Sequence, residues 1–460
     1  MSYLKNKKSL LSHGNTAARR FALDIVDYAL SQSDPYRAAR NRISHKNDEL
    51  IIDTLQLDLK LHNRIFLIGA GKATFPIASA LEDLLGDRIA DGVIICKYGQ
   101  EGSLSRSRLY LADHPIPDIA GFDAAQQVIN LVKSTKPGDL VFSCFTGGSS
   151  ALLPYPISEV TFKEKQRLNQ LLLTCGANII EINTVRKHLS QVKGGRLARA
   201  IHPQAHLINL TVSDVIGDPL DYITDPTVPD TSTFDEARAV LTKYDLWNRL
   251  PASVCRFLKT AGPDQETPKM ADLCDRHRHD FILVSSDAAC EAAERKSKEF
   301  GLNTLILSTM LEGESKMLGG TFASIAKEIV FKGRPQKPPC TIIGGGETTV
   351  TISNRVNGIG GPNQEFALSA ATGIDNLGNI AIVGLDTDGT DGPTDVAGAV
   401  VDHKTVARAR ENGIDLFECL NNHDATSAFL KLEDAILTGA TGTNVNDLKL
   451  MVILEQKESI

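Results

Sequence analysis

Short apolar runs with no polar alternation recur along this chain. Each closes on a glycine- or acid-rich turn and gives way to a segment of helical character. Residues 64–68 lead into Gly69-Ala70-Gly71-Lys72, and 140–145 into Thr146-Gly147-Gly148-Ser149-Ser150. Further on, 207–212 end at Ser213-Asp214, 341–343 at Gly344-Gly345-Gly346-Glu347, and 380–385 at Asp386-Thr387-Asp388-Gly389. Runs that are apolar at successive positions predict strands buried on both faces. Strand, turn and helix in repetition predict a doubly wound α/β architecture, in which ligands sit beyond the carboxyl ends of the strands. The glycine and aspartate clusters fall at those ends. After the first of them a helix is expected over 72–85.

Two stretches break the pattern. Residues 262–280 (GPDQETPKMADLCDRHRHD) are polar, contain two prolines and precede a new apolar run at 281–284, so a linker is expected there, dividing 1–262 from 281–460. Residues 331–339 (FKGRPQKPP) mark a second, Pro-rich break. A chain of 460 residues has room for two or three domains. Its 42% apolar and 23% charged residues are those of an ordinary globular protein. The eight cysteines are scattered with no CxxC pair, which predicts reduced thiols in a cytoplasmic protein rather than a disulfide framework or a structural zinc site. Net charge is −7 and the cations are dispersed, which argues against nucleic acid as a partner. The opening residues lack the apolar core of a secretory signal. No uninterrupted apolar run approaches the roughly 18 residues of a membrane span.

The turns carry the candidate chemistry. Gly69 and Gly71 would let a phosphate approach the main chain at a helix start. Lys72 in a first helical turn opposes the helix dipole, a cost of about 0.3–1 kcal/mol that a bound anion would offset. The spacing is not that of a P-loop, and a plain turn with Lys72 in solvent would use the same residues. Thr146, Gly147, Gly148, Ser149 and Ser150 can form a nest of amides and hydroxyls around an oxyanion, or a helix start capped by Ser149 or Ser150. Residues 181–198 hold Arg186, Lys187, His188, Lys193 and Arg196. Arg186 and Lys193, seven apart, would share one helical face, as a polyphosphate seat or as a solvated surface. Three successive glycines before Glu347 are costly in backbone entropy, which favours a functional reading. Residues 386–395 (DTDGTDGPTD) gather four carboxylates that repel one another unless a cation intervenes. Oxygen-only ligands suit Mg²⁺, although solvated acids in Asx-turns would look the same. An EF-hand loop would need a glutamate at its twelfth position. Asp214 and Asp218 add acids at another strand end, and His114 is either a base or a turn residue.

In order along the chain these segments resemble the glycerate 2-kinase family, which joins a DUF4147 region to a C-terminal MOFRL region. The shared motifs are GAGKA (69–73), HPIPD (114–118), TGGSSALLP (146–154), EINTVRKHLSQVKGGRLA (181–198), SDVIGDP (213–219), GGGETTV (344–350), GGPNQEFAL (360–368), GTDGPTDVAGA (389–399) and TGTNVNDL (441–448). The resemblance implies two α/β/α domains, the N-terminal one Rossmann-like with a mainly parallel sheet and the C-terminal one, with MOFRL at about 338–455, with a mixed sheet, and an active site in the cleft between them. It implies phosphorylation of the carbon-2 hydroxyl of glycerate, with ATP as donor and a divalent metal. Lys72 matches the family's active-site lysine and 146–150 its Gly/Ser loop. With that frame, Mg²⁺ is expected on some of Glu347, Asp388, Asp391 and Asp395, and Lys72 and the glycine-rich amides on phosphate. Arg186 and Lys193 are expected on the acceptor carboxylate or ATP, and Asp214 on the attacking hydroxyl. Gly345, Gly346, Thr348, Asn363 and Glu365 complete the binding set. A small hydroxy acid is the expected partner, and a homodimer is compatible with this reading.

The chain also departs from the family. It has TGGSSAL for the commoner SGGGSAL, GGPNQE with Pro362 for GGRNQE, Ile223-Thr224-Asp225-Pro226-Thr227 for IASGPT, and Ser285-Ser286-Asp287 for GSN. Proline neither donates a hydrogen bond nor carries charge, so one anion contact is missing. Three alternatives stand beside glycerate phosphorylation: a kinase of another hydroxy or sugar acid, a hydroxypyruvate reductase, and a non-catalytic metabolite binder. The reductase would need a third glycine after Gly69-Ala70-Gly71 and an acid closing the next strand some 20 residues on, but the glycine is missing and the run at 93–96 ends at Lys97.

Overall fold

The computed structural model describes residues 2–100, 102–352 and 358–455. The chain forms two compact units, one of residues 35–213 with 218–283 and one of residues 1–34 with 214–217 and 284–460.

The first unit opens with a small antiparallel sheet of β1 (Ile43–Lys46), β2 (Glu49–Ile52) and β3 (Leu55–Asp58). Its main sheet contains β4 (Ile65–Ala70), β5 (Ile89–Lys97), β6 (Arg108–Ala112), β7 (Leu140–Phe145), β8 (His206–Val212) and β9 (Arg278–Val284), in the order β6-β5-β4-β7-β8-β9. The paired strands from β6 to β8 are parallel, as the apolar runs predict. β4 and β7 are buried at every residue. Helix Ile119–Lys133 packs its apolar stripe on Phe66, Ile68 and Ile95, and helix Thr74–Leu85 covers alternate positions of the same strands. A cluster of helices has a separate core built from Leu168, Leu172, Val185, Leu241 and Phe257. Three of its helices begin on capping boxes, Thr161 with Glu164, Asn178 with Glu181 and Thr233 with Glu236. Along β8 the His206 ring lies 4.7 Å from His62 and 4.5 Å from His277. Burial, and then the neighbouring imidazoles, push His206 down to about 4.

The second unit is a mixed sheet of β10 (Asn303–Leu311), β11 (Cys340–Gly346), β12 (Ile380–Asp386), β13 (Gly398–Asp402), β14 (Ala435–Ile436) and β15 (Asp447–Ile453). The strand order is β10-β11-β15-β12-β13-β14, and only the β10/β11 pair is parallel. Helices Thr16–Gln32 and Ala288–Glu299 cover one face, Ser315–Lys332 and Pro362–Gly373 the other.

The division differs from the one suggested by 262–280. That stretch runs into β9, the last strand of the first sheet, and the units part at 283/284. Residues 1–34 join the second unit because helix Thr16–Gln32 buries Ala22, Leu23, Val26 and Leu30 against its sheet. Arg19 on that helix is fully buried and holds Asp434 at 2.7 Å, with Asp402 as a second partner. Among the described residues no helix is long and apolar enough to cross a membrane.

Candidate active site

In the first unit the chain winds outward from β4 in both directions, so the crevice beyond β4 and β7 is a topological switch point, the usual ligand position in such sheets. The turns after those two strands are laced together. Thr146 N–H donates to Ala70 O at 3.1 Å, and Lys72 N–H donates to Gly147 O at 2.9 Å. Thr146 Oγ1 accepts from Ala73 N–H at 3.2 Å and lies 3.2 Å from Thr74 Oγ1. Gly71, at φ +145°, is required here, because a Cβ would stand 2.1 Å from Thr146 Oγ1. A Cβ on Gly148, at φ +85°, would meet the His114 ring at 3.2 Å and Lys72 Cγ at 3.3 Å. Lys72, His114 and Gly148 therefore converge. Gly69 and Ser149 belong to the same pair of turns, Gly69 in β4 and Ser149 at the start of helix Ser149–Leu152, followed by Ser150.

Two expectations are corrected. The helix after β4 runs Thr74–Leu85, so Lys72 stands in the turn ahead of it rather than in its first turn. The helix at Ser149 spans four residues and its N-cap is Gly148, with no side-chain cap bond from Ser149 or Ser150.

The segment 181–198 is neither one helix nor a solvated face. Helix Ile179–His188 stops before Lys193, and a separate short helix starts at Arg196. Arg186 and Lys193 thus share no helical face. The chain folds back and buries these cations among acids. Lys187 Nζ lies 3.1 Å from Asp230 and 3.7 Å from Asp221, Lys193 Nζ donates to Asp225 at 2.8 Å, and His188 Nε2 lies 2.7 Å from Glu266. Burial works against charge on Lys187, but Asp230, Asp225 and Asp221 outweigh it and its pKa is raised. Burial dominates at Lys193 and lowers its pKa. Arg186 donates from Nε to Asn169 Oδ1 at 3.0 Å.

In the second unit the ends of β11 and β12 and the start of β15 lie in register, Gly346 and Asp386 each opposite Asp447. The glycine run is part of β11 rather than a turn after it, and it has a packing reason. A Cβ on Gly344 would meet Leu311 Cδ1 at 2.5 Å, on Gly345 Cys290 Sγ at 2.5 Å, and on Gly346 the Leu311 backbone at 2.2 Å. Thr348 N–H donates to Asp447 Oδ2 at 3.3 Å. Asn363 Nδ2 donates to Asp447 Oδ1 at 2.7 Å, and the fully buried Lys449 donates to Asp447 at 2.8 Å and to Asn363 Oδ1 at 3.1 Å. Asp391 accepts four bonds, from the backbone N–H and side-chain amide of Asn363 (3.0 and 3.1 Å) and of Gln364 (2.8 and 3.0 Å). Burial, with Asp447 nearby, pushes Asp391 up to about 6 against those bonds. Glu365 pairs with the buried His423, and its Oε2 has no partner among the described residues. Asp388 Oδ1 accepts from Thr390 N–H and Oγ1, each at 2.8 Å. Glu347 and Asp395 are exposed. Asp214 accepts from Asn444 Nδ2 at 2.8 Å.

Comparison with known proteins places the chain. The profile of a domain of unknown function, DUF4147, matches residues 21–259, and that of the MOFRL family matches 340–447. A glycerate 2-kinase from Pyrococcus horikoshii is 40% identical over 95% of this chain and 98% of its own length. The chain belongs to the glycerate 2-kinase family. A crystal structure of a glycerate kinase from Thermotoga maritima is 39% identical, with a TM-score of 0.81 over 95% of this chain and 99% of that one. An Agrobacterium vitis relative carries a provisional hydroxypyruvate reductase name and is 36% identical over 98% of each chain.

For a glycerate 2-kinase family member, the acids on the second sheet's edge are oxygen-only donors suited to a hydrated divalent cation. Among the described residues no three His, Cys, Asp or Glu side chains converge as a metal group. The four expected acids therefore make no ready cage. Asp391, expected as a ligand, has its oxygens taken by four N–H groups and caps helix Pro362–Gly373 instead. Pro362, where the family carries Arg, is the first residue of that helix, a position where the missing N–H has no helical partner to lose. Asp447, Lys449 and His423 were missed by sequence reasoning. Asp447 lies inside the recognised TGTNVNDL segment, but nothing in its spacing signals that it ties three backbone segments together.

Proposed function

We infer that this chain phosphorylates the carbon-2 hydroxyl of glycerate to 2-phosphoglycerate with ATP as donor. The observation that carries the reading is the convergence of Lys72, His114 and Gly148 at the switch point of a sheet whose chain is 40% identical to a glycerate 2-kinase. Phosphoryl transfer asks for alignment and positive charge more than for covalent help. From the first unit, Lys72 and the turn amides would hold the charge that develops on the phosphoryl oxygens. Mg²⁺, which when bound neutralises phosphate charge, would be held by one or two carboxylates among Glu347, Asp388 and Asp395. Asp214, oriented by Asn444, would align the attacking hydroxyl and accept its proton.

The test is an ADP-release assay across a panel of hydroxy and sugar acids, with the product scored by conversion through enolase. ADP release with glycerate and an enolase-competent product is the expected result. Turnover only with another acid would transfer the assignment to that acceptor, the alternative that Pro362 motivates. Uptake of ATP and glycerate without ADP release would make the chain a binder. The name of the Agrobacterium vitis relative favours a second reading, reduction of hydroxypyruvate. NADPH absorbance should stay constant with hydroxypyruvate present, and its decay would establish that reading instead. Eight unpaired cysteines agree with a cytoplasmic setting.

A further inference from the structure

Lys165 belongs to none of the motifs shared with the family. It lies on helix Phe162–Thr174, one turn before Asn169, the residue that receives Arg186 Nε. Its side chain is buried, with 4% of the residue exposed, and it has no hydrogen-bond or ion-pair partner among the described residues. The charged groups that act on it are Lys193, Arg186 and Asp225. Arg186 makes its one side-chain hydrogen bond to a neutral amide and has no carboxylate partner among the described residues. Lys193 shares Asp225, and the second oxygen of Asp225 is buried without a partner among the described residues. Next to them Lys187 is matched by Asp230 and Asp221. Lys165, Arg186 and Lys193 thus set three cations against one carboxylate in a largely buried setting, an arrangement that is costly unless an anion completes it. Arg186 is only partly buried, so the cluster can be reached from solvent.

We propose that Lys165, Arg186 and Lys193 form the seat of an oxyanion carried by a reactant, either the carboxylate of the acceptor or a phosphate of the nucleotide, and that Lys165 takes up a proton as the anion arrives. The choice of reactants rests on the function inferred above. In the ligand-free chain, burial first and then Lys193 and Arg186 bring the Lys165 ammonium down to about 7. An arriving anion supplies the missing charge and restores the protonated form.

Calorimetric titration of the full chain at about pH 8, in buffers of different ionisation enthalpy, reads that proton directly. The probes, each added alone, are D-glycerate, L-glycerate, inorganic phosphate and the non-hydrolysable imido analogue of ATP. Uptake approaching one proton is expected with at least one probe. A response to glycerate identifies the acceptor carboxylate, and a response to phosphate or the analogue identifies the nucleotide. In Lys165→Met the uptake should vanish and binding of that probe weaken roughly tenfold or more, while the ligand-free chain melts at the same temperature or higher. A merely structural lysine would lower the melting temperature instead. Absence of proton uptake with every probe in the unmodified chain, or uptake retained by Lys165→Met, overturns the proposal. Glycerate phosphorylation without proton uptake would sink the seat and leave the function intact. Lys165-dependent uptake with phosphate in a chain that ignores glycerate would do the reverse.

Discussion

Lys72 stands in a turn that only glycine at positions 71 and 148 permits, with its methylene stem against Gly148. If its ammonium meets charge on a transferring phosphoryl group, Lys72→Ala should lower kcat by roughly 10²–10³-fold, the loss typical of one preorganised donor. Steady-state kinetics check this, and near-normal turnover would remove Lys72 from the chemistry. Asp391 makes the opposite case. Its four N–H bonds mark it as a helix cap, so Asp391→Ala should cost about 2–4 kcal/mol of stability in denaturant unfolding and leave the Mg²⁺ concentration for half-maximal activity unchanged. A large shift in that concentration would return Asp391 to the metal. Side-chain roles of this kind were hard to read from the chain. Asp388 and Asp391 look alike in DTDGTDGPTD, and only the fold shows that Asp391 receives four N–H groups of Asn363 and Gln364 at a helix start. Arg186 and Lys193 looked like one helical face because seven residues separate them, and a break after His188 undoes that geometry.

Strands were the most legible elements. β4 and β12 were visible as apolar runs, and β7 and β8 as runs broken only by the buried Ser143, Asn209 and Thr211, because a strand buried on both faces carries few polar positions. The glycine run at 344–346 misled, since its reason is a close approach by Leu311 and Cys290 from distant parts of the chain. The stack of His62, His206 and His277 was equally invisible, because its members come from separate segments. It gives the element a pH signature. Burial holds His206 down to about 4 and lowers His62 as well, so both stay neutral in the fold while the unfolded chain binds protons below its ordinary histidine pKa. That contribution is complete above the unfolded value and is lost as pH falls through the folded one. The melting temperature should drop by several degrees between about pH 6.5 and 4, and His206→Gln should flatten that drop. Equal slopes in both proteins would assign the acid sensitivity elsewhere.

At the level of the whole chain, the fold class and both sheet types were legible, and the division was not. Contiguous reading places 1–34 with their neighbours in sequence, whereas packing assigns them to a unit made mostly of residues beyond 283. The fastening is Arg19 between Asp402 and Asp434. Arg19→Leu would leave the buried Asp402 without its cation, while Asp434 keeps Arg408, and should cost about 3–5 kcal/mol, measured as a lower urea midpoint for the second unit. An unchanged midpoint would show that apolar packing alone holds the helix.

β15, near the end of the polypeptide, lies in the middle of its sheet, hydrogen-bonded to β11 on one side and β12 on the other. On a ribosome helix Thr16–Gln32, made before the first unit, must therefore wait for a strand made after it. Until Asp447 emerges, β11 and β12 have no shared neighbour and the apolar stripe of Thr16–Gln32 has no finished surface to cover. Once residue 283 has emerged the first unit has all of its own segments, whereas Thr16–Gln32 still lacks the sheet it packs on.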